Sequence, residues 1–150
     1  MRASSKFVTG LLLVGGIAAL SLGAGIGSAA AETAVVALTS AAEVPPNTSP
    51  GKGEANVSYD KATKKLTYKL TYSGLTGDAM AAHFHGPAAK DANAGVVIPI
   101  GSGAPPSPVE GTATLTDAQA ADFLAGKWYI NVHTKANPGG EIRGQIVPTM

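Results

Sequence analysis

Residues 65–73 read KLTYKLTYS, and this stretch decides the fold class. Every second residue in it is apolar: Leu66, Tyr68, Leu70 and Tyr72. Successive side chains of an extended strand point to opposite faces, so the apolar side chains share one face and the threonines and lysines share the other. The pattern predicts a β-strand with one buried face.

Similar short segments, separated by turns and by two proline-rich loops, fill the chain on both sides of this strand. The predicted strands are residues 33–40, 54–60, 65–73, 79–85, 95–100, 109–115, 128–133 and 141–147. One helix is predicted over 116–125, with Thr116 as its N-cap, Gln119 as the capping-box partner and Gly126 at its end. Eight strands and one short helix predict an all-β, antiparallel sandwich or barrel.

The N-terminus has the pattern of a secretory signal peptide. Arg2 and Lys6 precede the uncharged, apolar residues 7–26, and an A-x-A cleavage sequence ends at Ala31. A retained transmembrane helix is the alternative, but the glycines of the apolar run and the A-x-A sequence favour cleavage. We therefore predict that residues 1–31 are removed and that residues 32–150 form one secreted or periplasmic domain without a membrane span.

Composition excludes several classes of function. Without Arg2 and Lys6, 9 of the 11 Lys and Arg residues remain against 10 Asp and Glu, a net charge of −1. No basic cluster indicates nucleic acid or anionic lipid as a partner. The chain has no cysteine, so disulfides, thiolate metal sites and cysteine nucleophiles are excluded.

All three histidines lie on predicted strands. His83 and His85 are two residues apart, so both side chains point to one face, about 6.6 Å apart along the backbone. His133 shares the polar face of its strand with Tyr129 and Asn131. The polar face of the last strand carries Glu141 and Arg143. If the three strands are neighbours, these polar residues lie on one surface.

Two interpretations of this surface are open. Imidazole ligands without thiolates suit Cu(II), Zn(II) or Ni(II), and His83, His85 and His133 are predicted to bind one copper or zinc ion, copper in preference to zinc. The supporting residues would then be Asn131, Glu141 and Arg143. Alternatively, the surface is the wet face of a half-solvated sheet, with separate histidines and an exposed Glu141–Arg143 ion pair.

No motif of a common hydrolase is present: the exported region has neither a G-x-S-x-G elbow nor a P-loop. Glu141 is the only acid among the dense polar residues, and Arg143 is expected to lower its pKa. We predict a binding or structural module rather than an enzyme. Residues 137–140 (NPGG) are predicted to form a rigid hairpin turn that places Glu141 and Arg143 close to Asn131 or His133.

Three segments together resemble the CHRD domain, a module named after chordin and widespread in exported bacterial proteins. They are AAHFHGPA (81–88), GVVIPI (95–100) and LTDAQAADFLAGKWYINVHTKANPGGEIRGQI (115–146). The resemblance implies an immunoglobulin-like or Greek-key β-sandwich or barrel. Chordin's growth-factor ligands are not carried over, because the cysteine-rich modules that accompany its domain are missing here. For stand-alone bacterial members the resemblance implies no enzymatic activity.

The H-x-H strand with a later histidine is also similar, in one respect, to copper/zinc superoxide dismutase. Three histidines are too few to supply that enzyme's bridging histidine and zinc ligands. Three functions therefore stay open: a metal-binding module, a structural or protein-interaction module of the envelope or extracellular space, and a superoxide dismutase-like copper enzyme.

Overall fold

The computed structural model describes residues 30–149, so the predicted signal peptide lies almost wholly outside the described residues. The strands are β1 (Glu32–Thr39), β2 (Lys52–Asp60), β3 (Lys65–Ser73), β4 (Ala79–His85), β5 (Val96–Pro99), β6 (Val109–Thr114), β7 (Trp128–Thr134) and β8 (Ile142–Ile146). A 3-10 helix (Ser40–Ala42) follows β1, and the helix α1 (Asp117–Leu124) precedes β7. No helix within 30–149 is long and apolar enough to cross a membrane.

All strands belong to one antiparallel sheet in the order β5-β4-β7-β8-β1-β2-β3-β6, which curls into an almost closed barrel or sandwich. Within residues 30–149, the predicted all-β class, the eight strands and the single α-helix are confirmed. β3 and β4 have the predicted bounds, and the other strands differ by one or two residues at their ends. The predicted three neighbours β4, β7 and β8 lie side by side in the sheet.

The alternation that predicted β3 also forms the core. Leu66 and Leu70 are fully buried, and they join one apolar cluster to which every strand except β5 contributes a buried side chain, while Val97 and Ile98 of β5 are partly buried against it. The Phe84 ring packs edge-on against Tyr68, with 5.2 Å between ring centroids. Burial of such side chains stabilises the fold by about 1.5–3 kcal/mol each. The sheet therefore closes around a single hydrophobic core.

The helix begins as its sequence predicts. Thr116 Oγ1 accepts a hydrogen bond from Gln119 N at 3.2 Å, and Gln119 Oε1 accepts one from Thr116 N at 2.9 Å. This capping box satisfies backbone donors that a helix start leaves unpaired. Phe123 then packs against Trp128, which fixes the helix on the barrel end next to β7.

Two expectations about side-chain faces are wrong. The alternation along β4 predicts that Met80 shares the apolar face of Ala82 and Phe84. Met80 is instead 56% exposed, because the β4–β7 register shifts between Ala79 and Ala81, and Ala79 is buried in its place. The sheet of β4, β7 and β8 is also not half-solvated. Its polar face is covered by the loops at 43–51 and 86–95, which bury these polar residues: Tyr129, Asn131 and Arg143.

Candidate metal centre

The pairing of β4 with β7 brings the three histidines together. Asn131 lies directly opposite His83, and His133 lies opposite Ala81, diagonally across from His83. Each histidine offers one ring nitrogen to a group in which all three nitrogens lie within 4.8 Å of one another. His85 is buried, while His83 and His133 are half-buried. The sequence-predicted ligands therefore form one cluster rather than three separate surface side chains.

Backbone carbonyls fix the tautomers of two histidines. His85 Nδ1 lies 3.0 Å from the Ala94 carbonyl oxygen, and His133 Nδ1 lies 3.0 Å from the Pro138 carbonyl oxygen. A carbonyl oxygen only accepts hydrogen bonds, so each Nδ1 carries the proton and each Nε2 keeps a lone pair. Metal-binding histidines are oriented in the same way by carbonyls and carboxylates. Both Nε2 atoms are therefore in the form that binds a metal ion.

The third histidine closes the cluster. His83 Nδ1 lies 3.0 Å from His133 Nε2. Since His133 Nε2 is an acceptor, His83 Nδ1 must donate the proton that joins the two rings. Two nitrogens bound at ~2.0–2.1 Å to a tetrahedral ion are about 3.3 Å apart, so this pair already has a suitable spacing. The widest pair, within 4.8 Å, requires the rings to move together.

The cluster favours neutral imidazoles. Burial lowers the pKa of all three histidines, and for His83 the neighbouring His133 and His85 lower it further. If one ring were protonated, its positive charge would lie in a partly buried space and would oppose protonation of the two neighbouring rings. At neutral pH the rings are therefore uncharged, as metal ligands must be.

A stack of three side chains supports His85. The Tyr129 ring lies parallel to the His85 ring, with 4.8 Å between centroids and 3° between planes. On the other side of Tyr129, the guanidinium carbon of Arg143 lies 3.5 Å from the ring centroid. Arg143 also donates hydrogen bonds to Asn93 Oδ1 at 2.9 Å and to the Ala92 carbonyl at 2.8 Å. The predicted supporting residue Arg143 thus acts on the cluster through Tyr129 and the covering loop.

Glu141 is placed differently from the expectation. Its carboxylate accepts hydrogen bonds from Ser49 Oγ (2.5 Å), Thr76 N (2.7 Å), Thr76 Oγ1 (2.8 Å) and Thr134 Oγ1 (2.5 Å). Burial acts to raise the pKa of Glu141, but these hydrogen bonds outweigh it and lower the pKa to about 2. Arg143 is not among the causes of this lower pKa, so the cause that the sequence analysis predicted was wrong. Through these hydrogen bonds Glu141 connects two loops to the end of β7, and it does not face the histidines.

The sequence analysis missed Glu43. This residue begins a proline-rich loop, is buried, and lies against the Asn131 side chain. Burial raises its pKa to about 7, although Arg143 and the Asn131 amide act to lower it. No periodic pattern marks a loop residue as buried. The only signal in the sequence was an acid followed directly by valine and two prolines.

The family model of the CHRD domain matches residues 34–146. The chain belongs to the CHRD family. The match extends from β1 through β8 and includes all three clustered histidines, so the resemblance found in the sequence is confirmed over the whole barrel. No curated protein and no solved structure matches the chain.

Proposed function

We propose that this CHRD-domain protein is an exported, non-enzymatic module that binds one metal ion through His83, His85 and His133. The observation that carries the proposal is the pair of fixed tautomers: two loop carbonyls hold the Nδ1 protons of His85 and His133, which leaves both Nε2 atoms unprotonated. The charged and then apolar N-terminus supports export.

Copper is the favoured ion. The cluster offers three imidazoles and no thiolate, and sites of nitrogen ligands bind Cu(II) more tightly than Zn(II) in the usual order of divalent metals. Three ligands leave at least one position open, which suits an ion that is carried or exchanged. The same open position would be required by a superoxide dismutase-like enzyme, so superoxide consumption by the copper-loaded protein is the measurement that separates the two.

A metal-free structural role is the alternative, and one observation favours it. The histidines already form hydrogen bonds that connect β4, β7 and two loops: His83 to His133, His133 to Pro138 and His85 to Ala94. In that function the cluster would only fasten loops on a barrel that meets another protein of the envelope or extracellular space.

Calorimetric titration of the purified protein with Cu(II) and Zn(II) tests the proposal. We expect one ion per chain, tighter binding of Cu(II), and loss of binding in a His83→Ala/His85→Ala variant. A matched control is Asn56→Ala, which removes a polar side chain from an exposed position of β2. This variant should bind Cu(II) as the wild-type protein does. Equal binding by the wild-type and double-variant proteins, or none by either, contradicts the metal site. N-terminal sequencing of exported protein should begin near Glu32.

A further inference from the structure

Unpaired polar atoms gather beside the histidine cluster. Among residues 30–149, four buried side-chain atoms have no hydrogen-bond partner: Glu43 Oε1, His85 Nε2, Asn131 Oδ1 and Gln145 Oε1. An unpaired buried polar atom destabilises the fold, so several in one neighbourhood indicate a missing partner. Three of the four atoms belong to His85, to Asn131 and to Glu43, which lies beside the Asn131 amide.

The unpaired atoms of His85 and Asn131 are both acceptors. His85 Nε2 carries a lone pair because Nδ1 holds the ring proton against Ala94. Asn131 lies directly opposite His83 in the β4–β7 pairing and shares the face of β7 that carries His133, and its buried Oδ1 has no donor. Two buried acceptors on adjacent strands, neither of which has a donor, are an arrangement that a cation satisfies.

Glu43 holds the Asn131 amide in this orientation. A Cβ atom placed on Gly140 would lie 2.3 Å from Glu43 Oε1 and 2.6 Å from Asn131 Nδ2, so both atoms flank the same glycine. Nδ2 also lies 3.5 Å from the Gly139 carbonyl oxygen. A flipped amide would turn Oδ1 towards the Gly139 carbonyl oxygen and lose the hydrogen bond that Nδ2 donates there. Oδ1 is therefore the end of the amide that stays without a donor.

We infer that Asn131 Oδ1 is a fourth ligand of the ion held by the three histidines, and that Glu43 is the positioning residue that keeps this oxygen directed at it. The inference rests on the proposed function and adds a specificity to it. Carbonyl-type oxygens suit harder cations, whereas Cu(I) prefers soft sulfur ligands. The fourth ligand thus makes the site selective for the divalent state of copper.

The test compares Cu(II) affinity and the Cu(II) electron paramagnetic resonance spectrum among variants of the full protein. Asn131→Leu should weaken Cu(II) binding about 10–100-fold and change the spectrum, while Cu(I) affinity, measured against a chromogenic chelator, stays unchanged. Asn131→Asp should keep or strengthen Cu(II) binding, because it retains an oxygen at the same place. The control is Asn56→Leu, the same substitution at an exposed site.

Glu43 is tested independently, in case Asn131→Leu does not fold. Glu43→Gln retains an oxygen beside the Asn131 amide and should preserve the Cu(II) spectrum, whereas Glu43→Leu removes that oxygen and should shift the spectrum towards that of a site without the Asn131 oxygen. If Cu(II) binds to wild type, and the position 131 and 43 variants share its affinity and spectrum, the fourth ligand is refuted while the three-histidine site stands. If the wild-type protein binds no metal, both fail.

Discussion

Replacing Glu141 with glutamine isolates the energy of one buried carboxylate. Glu141 is fully buried, and its two oxygens accept all four of their hydrogen bonds from donors on three different segments. Glutamine has nearly the same shape, but it removes the charge and turns one acceptor oxygen into an NH₂ donor. In the wild-type protein, hydroxyl protons point at the oxygen that this NH₂ group replaces. The new donor would therefore face other donors.

The magnitude follows from the pKa. Its fall from 4.5 to about 2 on folding means that the ionised carboxylate is favoured in the native state. At about 1.36 kcal/mol per pKa unit, the difference corresponds to roughly 3 kcal/mol of stability at neutral pH. Because the folded pKa is depressed, this contribution is complete above pH 4.5 and is lost as the pH falls through the folded value. We expect Glu141→Gln to lose about 2–3 kcal/mol at pH 7.

Urea unfolding monitored by Trp128 fluorescence at pH 7 and pH 3 measures both effects. The wild-type protein should lose stability between these pH values, and Glu141→Gln should lose less, since the group that titrates is gone. Glu110→Gln is the matched control, because Glu110 is exposed and forms only a surface ion pair with Lys69. A Glu141→Gln protein within about 0.5 kcal/mol of wild type at pH 7 would refute the reasoning.

Three further outcomes are expected. Gly140→Ala should destabilise the protein by about 2 kcal/mol or more in urea unfolding, because Gly140 has φ +136° and its new Cβ would meet Glu43 and Asn131; Gly139→Ala, whose Cβ meets nothing within 4 Å, should be near neutral. Arg143→Lys removes the planar group over Tyr129 and should lower the midpoint of urea unfolding. It also weakens the hydrogen bonding to the 86–95 loop and should speed proteolysis there; an unchanged digestion pattern would contradict this. Cu(II) affinity measured by titration at several pH values should be constant above about pH 6.5 and fall below it, because depressed histidine pKa values delay protonation until acid conditions; a site that binds equally at pH 5 and pH 7 would not be built from these histidines.

The strands and their faces could be predicted because period-two alternation is a local property of the chain. The parity of His83, His85 and His133 followed from it, and so did the apolar faces that form the barrel core. The pairing of β7 with β8 places Asn131 opposite Arg143, as the turn at 137–140 predicted. Of that turn's two glycines, only Gly140 adopts a positive φ.

The covering of the polar face could not be predicted, because it depends on contacts between residues far apart in sequence. Nothing local indicates that the loop carrying Asn93 folds onto Arg143, or that Glu43 lies against Asn131. Alternation along one strand cannot show a register shift between two strands either. For this reason the sequence predicts the wrong face for Met80. The sequence located the three histidines, whereas the side chains that orient them are shown only by the tertiary structure.

The hydrogen bond between His83 and His133 gives the cluster a resting form that needs no ion. A zinc finger unfolds when its metal leaves, since the metal supplies its folding energy. Here the barrel has its own core, and the two rings join through a proton at 3.0 Å. If the proposed site binds an ion, loss of the ion would let His83 Nδ1 donate its proton to His133 Nε2 again, so the domain would keep the same fold with the ion and without it.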